Sequence, residues 1–219
     1  MTTTSNAAAE FSRRRLSPAQ RIQHLLHAHP WLSPLLILVL TTIVFSALNG
    51  RYLAPNAQSL LLQQVAVVAC LAIGQTLIIL TAGIDLSVGS ITILSMMTMA
   101  SLAANSKVNG GLAILIGIAV AVGAGFLNGI LVTKVNLPPF IVTLGTLSIF
   151  TAIALLYSGG ASIQEDRLPD LINWTGTSIA LGPFRFTVGV IMVLLLYGVV
   201  GFALTQTAWG RHVFAVGDD

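Results

Sequence analysis

Long apolar runs separated by short polar breaks make up most of this chain. They lie at Trp31–Leu48, Leu60–Thr81, Ser87–Ala104, Gly111–Thr133, Pro138–Tyr157 and Phe184–Thr205. Each run approaches the ~20 residues that an α-helix needs to cross the hydrocarbon core of a bilayer. The pattern predicts an all-α membrane protein, a polytopic helical bundle of about six transmembrane helices.

Composition excludes a soluble domain and most site chemistries. Only 8% of the residues are charged and 55% are hydrophobic, which leaves too few charges to keep a surface wet. A single cysteine, Cys70, rules out an intrachain disulfide or a cysteine metal cluster. His24, His27 and His29 are loosely spaced with no acidic or cysteine partner nearby, so solvated or headgroup-facing histidines are favoured over a metal site. We expect no cofactor and no nucleic-acid partner.

The polar break Thr81–Ser87 organises the prediction, because it is too short to link domains. Gly83 is the residue type that follows a helix end in the left-handed conformation. Asp85 and Ser87 supply side-chain oxygens of the kind that accept free N–H groups at the start of the next helix. The break therefore predicts a structural hairpin of two helices that turn back at one membrane face.

Basic residues set the expected orientation. Residues Met1–Ser12 have few apolar side chains and are predicted to be disordered, whereas Leu16–His29 could form a helix on the membrane surface. Four arginines (Arg13, Arg14, Arg15 and Arg21) precede the first span and predict a cytoplasmic N-terminus. The expected regions are thus a cytoplasmic tail over 1–30, transmembrane helices over 31–205 and a cytoplasmic segment over 206–219.

Polar residues inside spans are costly and need a partner or a pathway. In the predicted topology Gln75, Asn128 and Thr143 all lie roughly 8–9 Å from the cytoplasmic ends of their spans, at ~1.5 Å per residue. They could line the inner part of a hydrophilic pathway, or they could hydrogen-bond neighbouring helices and hold the bundle together. Gln64, with Gln63, could mark the outer mouth of that pathway or contact headgroups.

Two further features are interpreted structurally. Asp85 is the only acid close to a span, and its place after the glycine break favours a helix cap over an ion ligand. Small residues recur every four positions in the fourth span (Gly117, Ala121, Gly125 and Gly129) and in the second (Ala66, Cys70 and Gly74). Such ridges let helices approach closely, so both spans are expected to be inner helices of the bundle.

Several ordered motifs carry a family resemblance. They are AGIDLSVGSI at 82–91, Asn128-Gly129, LPPFIVTLGT at 137–146, YSGG at 157–160 and GRHVFAVG at 210–217. From about Leu60 to the last residue the chain resembles the permease subunits of bacterial ABC importers for ribose and related sugars. The resemblance implies a multi-pass protein of the bacterial inner membrane that forms a sugar pathway and is not itself an enzyme.

The resemblance also implies partners. In that family two permease copies or two related chains form the channel, cytoplasmic ATPase subunits supply energy, and a periplasmic sugar-binding protein delivers the solute. The loop Ser158–Pro183 would help to receive the binding protein, and the ATPase would dock just after Gly210–Gly217. The family pattern continues with further spans, so the chain is expected to be the N-terminal part of such a permease and not to drive uptake alone. The alternatives are an ion-coupled secondary transporter and a membrane assembly protein that carries no solute.

Overall fold

The computed structural model describes residues 18–218, with side chains over 23–217. The expected disorder of Met1–Ser12 lies outside the described residues. The chain divides into two compact units, Met1–Ala54 and Pro55–Asp219.

The described part of the first unit consists of two helices. Helix α1 spans Pro18–Ala28 and falls within the predicted surface helix, although its place at a membrane stays a prediction. Helix α2 spans Leu32–Leu48 and none of its side chains is buried. Beyond it the Tyr52 ring stacks on Phe45, with ring centroids 5.7 Å apart. An apolar helix with every face exposed suits lipid and not water.

The second unit is built from long helices with one irregular crossover. The helices are α3 (Pro55–Leu80), α4 (Val88–Ala104), α5 (Gly110–Thr133), α6 (Pro139–Ser158), the single turn α7 (Asp170–Asn173), α8 (Val188–Gln206) and α9 (Ala208–Asp218). By length and composition α3, α5, α6 and α8 can each cross a membrane, while α2 and α4 are apolar but shorter, at 17 residues. The fold is an all-α polytopic bundle, as predicted.

Helices α4, α5 and α6 share the apolar core. Leu94, Ala124, Phe150 and Ala154 are buried against one another, so each of the three helices contributes to the same cluster. Helix α4 packs against both α5 and α6. This three-helix group forms the frame on which the polar residues of α4 and α5 are held.

Helix α3 packs mainly on α8 and on the crossover, and contributes little to this core. The Tyr197 hydroxyl of α8 donates to the Ala69 carbonyl of α3 at 3.2 Å. Only Ser59 and Ile73 of α3 are buried, and Cys70 is exposed. The prediction that the second span is an inner helix is therefore wrong within this chain.

The predicted glycine ridge of α5 is only partly used. Gly117 lies against α4, but Gly125 and Gly129 have no neighbouring atom within 4 Å of a Cβ placed on them. The buried residues of α5 are instead Gly110, Ala113, Gly117, Ala124 and Asn128. A four-residue repeat drifts about 40° around a helix of 3.6 residues per turn at each step, so the ridge leaves the contact face.

The crossover between α6 and α8 covers one end of the unit, which we call the loop end. It contains two short 3₁₀ turns, Glu165–Arg167 and Trp174–Gly176, and two strands, β1 (Ser178–Leu181) and β2 (Phe184–Thr187). Arg167 donates to the Asn105 side-chain oxygen at 2.8 Å, beside the end of α4. The Arg185 backbone N–H donates to the Ser59 hydroxyl of α3 at 2.9 Å. The opposite end, where α3 turns into α4, is the hairpin end.

The strands correct the start of the sixth span. β1 and β2 pair antiparallel with Ser178 opposite Thr187, through a turn at Gly182, whose φ is 62°. Residues Phe184–Thr187, predicted as helix, therefore form a strand, and α8 begins at Val188. The alternation of Phe184 and Phe186 with polar neighbours after Gly-Pro is a strand signal that the long apolar run hides.

Candidate functional site

The turn at the hairpin end begins with two backbone hydrogen bonds that close α3. The Ala82 N–H donates to the Ile79 carbonyl and the Gly83 N–H to the Ile78 carbonyl, both at 2.9 Å. This pair is the Schellman arrangement of helix ends. Its left-handed residue is Ala82, with φ 56°. The prediction that Gly83 takes the left-handed conformation is therefore wrong.

Gly83 is needed for space instead. A Cβ at this position would lie 3.0 Å from Cγ2 and 3.1 Å from the carbonyl oxygen of Ile78.

The left-handed conformation costs a non-glycine residue about 1–2 kcal/mol. Ala82 therefore carries strain that the packing around the turn offsets.

Asp85 organises the second half of the turn around one carboxylate oxygen. Its Oδ1 accepts the Ser87 backbone N–H at 2.7 Å and the Ser87 hydroxyl at 2.6 Å. Ser87 occupies the N-cap position of α4, but its side chain makes no capping hydrogen bond. The predicted cap role of the Ser87 side chain is wrong, because its oxygen accepts no backbone N–H of α4.

Asn128 of α5 reaches the same serine. Its Nδ2 donates to the Ser87 Oγ at 2.8 Å, and both side chains are buried. A carboxylate can only accept, so the one hydroxyl proton of Ser87 is committed to Asp85 and its oxygen must accept from Asn128. The carboxylate thereby fixes which way the Asn128 amide points. We call Asp85, Ser87 and Asn128 the polar triad.

The Asn128 amide orientation leaves its carbonyl oxygen without a donor. Within the described residues, the buried side-chain oxygens that lack a hydrogen-bond partner are Asn128 Oδ1 and Gln75 Oε1. A buried polar atom of this kind costs about 1–3 kcal/mol when it stays unpaired. Two amide oxygens at the hairpin end are therefore free to accept a hydrogen bond.

The other candidate residues do not take part in the triad. Thr143 is buried, and its hydroxyl donates to the Pro139 carbonyl of its own helix at 2.8 Å. Gln64 is exposed on α3, nearer the loop end. In the described part of the chain no hydrogen bond joins Gln64, Gln75 or Thr143 to the triad. Of the four candidates, the structure hydrogen-bonds only Asn128 to the hairpin residues.

The axial positions of these polar groups are similar. Gln75 and Asn128 each lie one to two turns before the end of their helices, and Thr143 lies one turn after the start of α6. At ~1.5 Å per residue, all three are roughly 6–8 Å from the helix ends. Helix α4, however, begins beside Asn128 of α5. Further along α4, Ser95 lies beside Gly117 of α5. The last turn of α5 therefore extends past the start of α4 and runs alongside the turn.

Helix α9 is held at the hairpin end through glycine. A Cβ on Gly217 would collide with the Leu80 carbonyl at the end of α3, and one on Gly210 with the Leu204 carbonyl of α8. Val213, on the same face of α9, is buried. Arg211 and His212 are exposed. The turn and α9 thus form one packed assembly at the end of α3.

The long apolar helices of the second unit offer only neutral hydrogen-bonding groups. Helices α3, α4, α5, α6 and α8 contain no Asp, Glu, Lys or Arg, so their polar side chains are amides and hydroxyls. In the residues that the structure describes, no cluster of His, Cys, Asp and Glu could hold a metal ion. Such a set can exchange hydrogen bonds with a polar solute.

Sequence reasoning did not find the contact between Ser87 and Asn128. A signal for it exists, because the two residues lie nearly equally far from the turn at Lys107 that joins α4 to α5. In two antiparallel helices joined by a short loop, residues equidistant from the loop are neighbours. Combining this register with the polar identity of both residues would have predicted the pair.

Comparison with known proteins assigns the family. A family model described as "Branched-chain amino acid transport system / permease component" matches residues 58–219. The chain belongs to this permease family. Apart from the first three residues of α3, the match covers the helices of the second unit, including the hairpin and the polar triad.

Individual relatives of this permease are named as import permeases. It is 39% identical over 220 residues to a fructose import permease protein of Rhizobium meliloti, covering 99% of the chain and 61% of that protein. It is 36% identical over 186 residues to a ribose import permease protein of Bacillus subtilis, covering 85% and 56%. An autoinducer 2 import system permease protein of Yersinia enterocolitica is 33% identical over 187 residues, covering 84% and 50%. The permease thus spans between half and three-fifths of the length of these relatives, and no solved structure matches it.

Proposed function

We propose that this permease is the solute-pathway subunit of an ATP-driven ABC importer in a bacterial inner membrane. Its solute would be a monosaccharide or a similar polyol. The observation that carries the proposal is the match over residues 58–219, together with relatives named for fructose and ribose import. The polar chemistry of the hairpin end agrees with such a solute.

Neutral amide and hydroxyl groups suit a sugar. A monosaccharide presents several hydroxyl groups and no charge, and each hydroxyl can donate to an amide oxygen. The free acceptors Asn128 Oδ1 and Gln75 Oε1 provide that chemistry inside apolar helices. We assign the pathway to Gln75, Asn128, Thr143 and, toward the loop end, Gln64.

The family description supports a second solute class, the branched-chain amino acids. Such a solute carries an ammonium and a carboxylate, and moving either into a low-dielectric site without a counter-charge is costly. The helices of the second unit that can line a pathway contain no acidic or basic residue. The sugar class is therefore preferred, and the amino acid remains the comparison solute in the test.

Family membership favours the importer over the two other classes considered. For a secondary transporter the only acid near a span is Asp85, and its Oδ1 already accepts two hydrogen bonds from Ser87. An assembly protein without a solute would not need unpaired amide oxygens inside its helices, because each one costs stability.

We assign the proposed partners to the two ends of the second unit. The ATPase subunits would meet the hairpin end, where Arg211 and His212 of α9 are exposed. A sugar-binding protein would meet the loop end, which has an open depression of about 500 Å³ lined by Gln164, Glu165, Asp166, Leu168, Asp170 and Asn173. With a cytoplasmic N-terminus and six crossings, these ends face the cytoplasm and the periplasm. A second permease chain would complete the channel and cover part of the exposed apolar surface.

The test is solute uptake. The permease in its full-length form is expressed with the ATPase and binding-protein subunits encoded beside it, in cells that lack other sugar importers, and uptake of radiolabelled fructose, ribose and leucine is measured. We expect sugar uptake that stops when the ATPase is inactivated and persists when an uncoupler is added with ATP maintained. Uptake that follows the proton gradient would favour the secondary transporter, and uptake of leucine alone would favour the amino-acid class.

A matched pair of variants tests the pathway assignment. Gln75→Leu removes an unpaired amide oxygen and should lower uptake per inserted protein. Thr76→Leu changes the adjacent exposed residue, whose hydroxyl only bonds the Ala72 carbonyl of its own helix, and should leave uptake unchanged. Equal uptake by the wild type and both variants would remove Gln75 from the pathway without affecting the assignment of the subunit.

A further inference from the structure

The hydrogen bonds of the polar triad all donate in one direction, from Asn128 through Ser87 to Asp85. Asp85 accepts the Ser87 hydroxyl proton at 2.6 Å, and Ser87 in turn accepts a proton of the Asn128 amide at 2.8 Å. Reversing the Asn128 amide would place its oxygen against a serine oxygen that has no proton left to give. The carboxylate of Asp85 therefore excludes the reversed amide.

The result of this polarity is that the carbonyl oxygen of Asn128 on α5 is left without a partner. Asn128 is 5% exposed, and its Oδ1 has no partner in the described residues, whereas its Nδ2 donates a proton to Ser87. Without the triad, an asparagine could turn either its oxygen or its nitrogen toward a solute. The turn between α3 and α4 thus determines that the oxygen of the Asn128 amide on α5 is the atom available to a solute.

Building on the proposed function, we propose that Asp85 and Ser87 are positioning residues that hold Asn128 Oδ1 as the acceptor for a hydroxyl group of the transported polyol. Asn128 contacts the solute, and the other two act through it. The oxygen is shielded in this structure, so it meets its donor when the helices around it separate during transport. Water has the same O–H donor chemistry as a sugar hydroxyl, and the two sources are separated by the solute dependence measured below.

The position of the triad suits a link between Asn128 and the end of the unit where α9 lies. The triad joins the α3–α4 turn to α5, and the same turn begins at Leu80, on which Gly217 of α9 rests. Asn128 is therefore connected through short contacts to the end of the unit where the ATPase subunits are proposed to bind. We expect a displacement of α9 to reach Asn128 through the turn residues between Leu80 and Ser87.

The experiment measures KM and maximal uptake of radiolabelled fructose and ribose by the importer expressed with its ATPase and binding protein. Uptake is normalised to the amount of inserted permease. The variants are Ser87→Ala, Asp85→Asn and Asn128→Ala. The matched control is Ser90→Ala, which removes an equally buried hydroxyl that donates to the Ser87 carbonyl at 2.8 Å but lies outside the triad.

We expect Ser87→Ala and Asp85→Asn to raise KM by about two- to tenfold, the effect of one neutral hydrogen bond, with a smaller change in maximal uptake. Ser90→Ala should leave KM unchanged. The double variant Ser87→Ala/Asn128→Ala should have the KM of Asn128→Ala alone, since a positioning residue has no effect once its target is gone.

Other outcomes overturn the inference in distinguishable ways. If Asn128→Ala raises KM but Ser87→Ala and Asp85→Asn behave like Ser90→Ala, the positioning role is wrong and the pathway role of Asn128 stands. If Asn128→Ala lowers only the amount of inserted protein, water or packing satisfies its oxygen and the inference fails, while uptake by the wild type still supports the importer. If the wild type takes up none of the solutes, the proposed function and the inference both fail.

Discussion

The Ser95 hydroxyl of α4 donates to the Gly117 carbonyl of α5 at 2.7 Å. This bond is possible because Gly117 has no side chain. A Cβ there would lie 3.0 Å from the Met99 Cβ and 3.2 Å from the Ser95 carbonyl oxygen. The close approach of the two helices at this point therefore depends on one glycine. The Gly117 carbonyl accepts the Ser95 hydroxyl proton there.

This contact predicts that Gly117→Ala destabilises the bundle. The added methyl group must push α4 away from α5, and overpacking of this kind costs about 1–3 kcal/mol. Thermal unfolding in detergent should show a lower transition temperature. Gly125→Ala, on the same helix but with no atom within 4 Å, serves as the control and should have little effect. Equal transition temperatures for the two variants would contradict this packing.

The α3–α4 turn predicts opposite effects for two adjacent residues. Ala82→Gly should stabilise the protein by up to about 1–2 kcal/mol, because the left-handed conformation at φ 56° costs a glycine little. Gly83→Ala should destabilise it, because the new methyl group meets Ile78. The same unfolding measurement tests both. A stabilising Gly83→Ala would place the tight approach elsewhere.

The glycine contacts of α9 predict protease sensitivity. Gly217→Val should displace α9 from the Leu80 carbonyl. Trypsin should then reach the backbone at Arg211, whose side chain is already exposed, more easily. In detergent, mass spectrometry should detect cleavage after Arg211 sooner than in the wild type. Gly201→Val on α8, where a Cβ meets no atom within 4 Å, is the control and should cleave at the wild-type rate. Identical rates for all three proteins would show that α9 does not depend on this contact.

The proposed orientation predicts which end of the second unit faces the periplasm. After Cys70→Ser removes the one native thiol, a cysteine replaces either Ile84 in the turn or Leu181 in β1, both of which are exposed. A membrane-impermeant maleimide should label Leu181→Cys in intact cells and Ile84→Cys only after permeabilisation. Labelling in the reverse order would invert the topology and place the polar triad at the periplasmic end.

The helices of the second unit could largely be predicted from the sequence because their apolar runs are interrupted by residues with clear backbone preferences. Pro139 begins α6 as the first-turn proline expected there, and the left-handed Gly159, with φ 61°, follows its end. The predicted spans at Ser87–Ala104 and Gly111–Thr133 differ from α4 and α5 by a single residue at one end. Local chemistry at the helix ends carries this information.

Contacts that depend on tertiary geometry could not be predicted from local chemistry. The left-handed residue is Ala82 and not the predicted Gly83. Gly83 is instead the residue that packs against the Ile78 side chain and carbonyl. From the sequence, the Ser87 hydroxyl could bond its own helix or the carboxylate two residues earlier. In the structure it donates to that carboxylate and accepts a hydrogen bond from Asn128 of α5. The pathway roles of Gln64, Gln75, Asn128 and Thr143 stay predictions that the uptake measurements test.

The short length of α4 has a consequence for the lipid around it. Its 17 residues measure about 25 Å at 1.5 Å per residue, less than the ~30 Å of an average hydrocarbon layer. Where α4 crosses a layer of that thickness, the backbone beside its ends lies close to the hydrocarbon, and such backbone needs hydrogen-bond partners wherever water is scarce. The carboxylate of Asp85 supplies one at the Ser87 N–H. Changes in bilayer thickness would consequently act on this permease at the same few residues that orient the Asn128 amide.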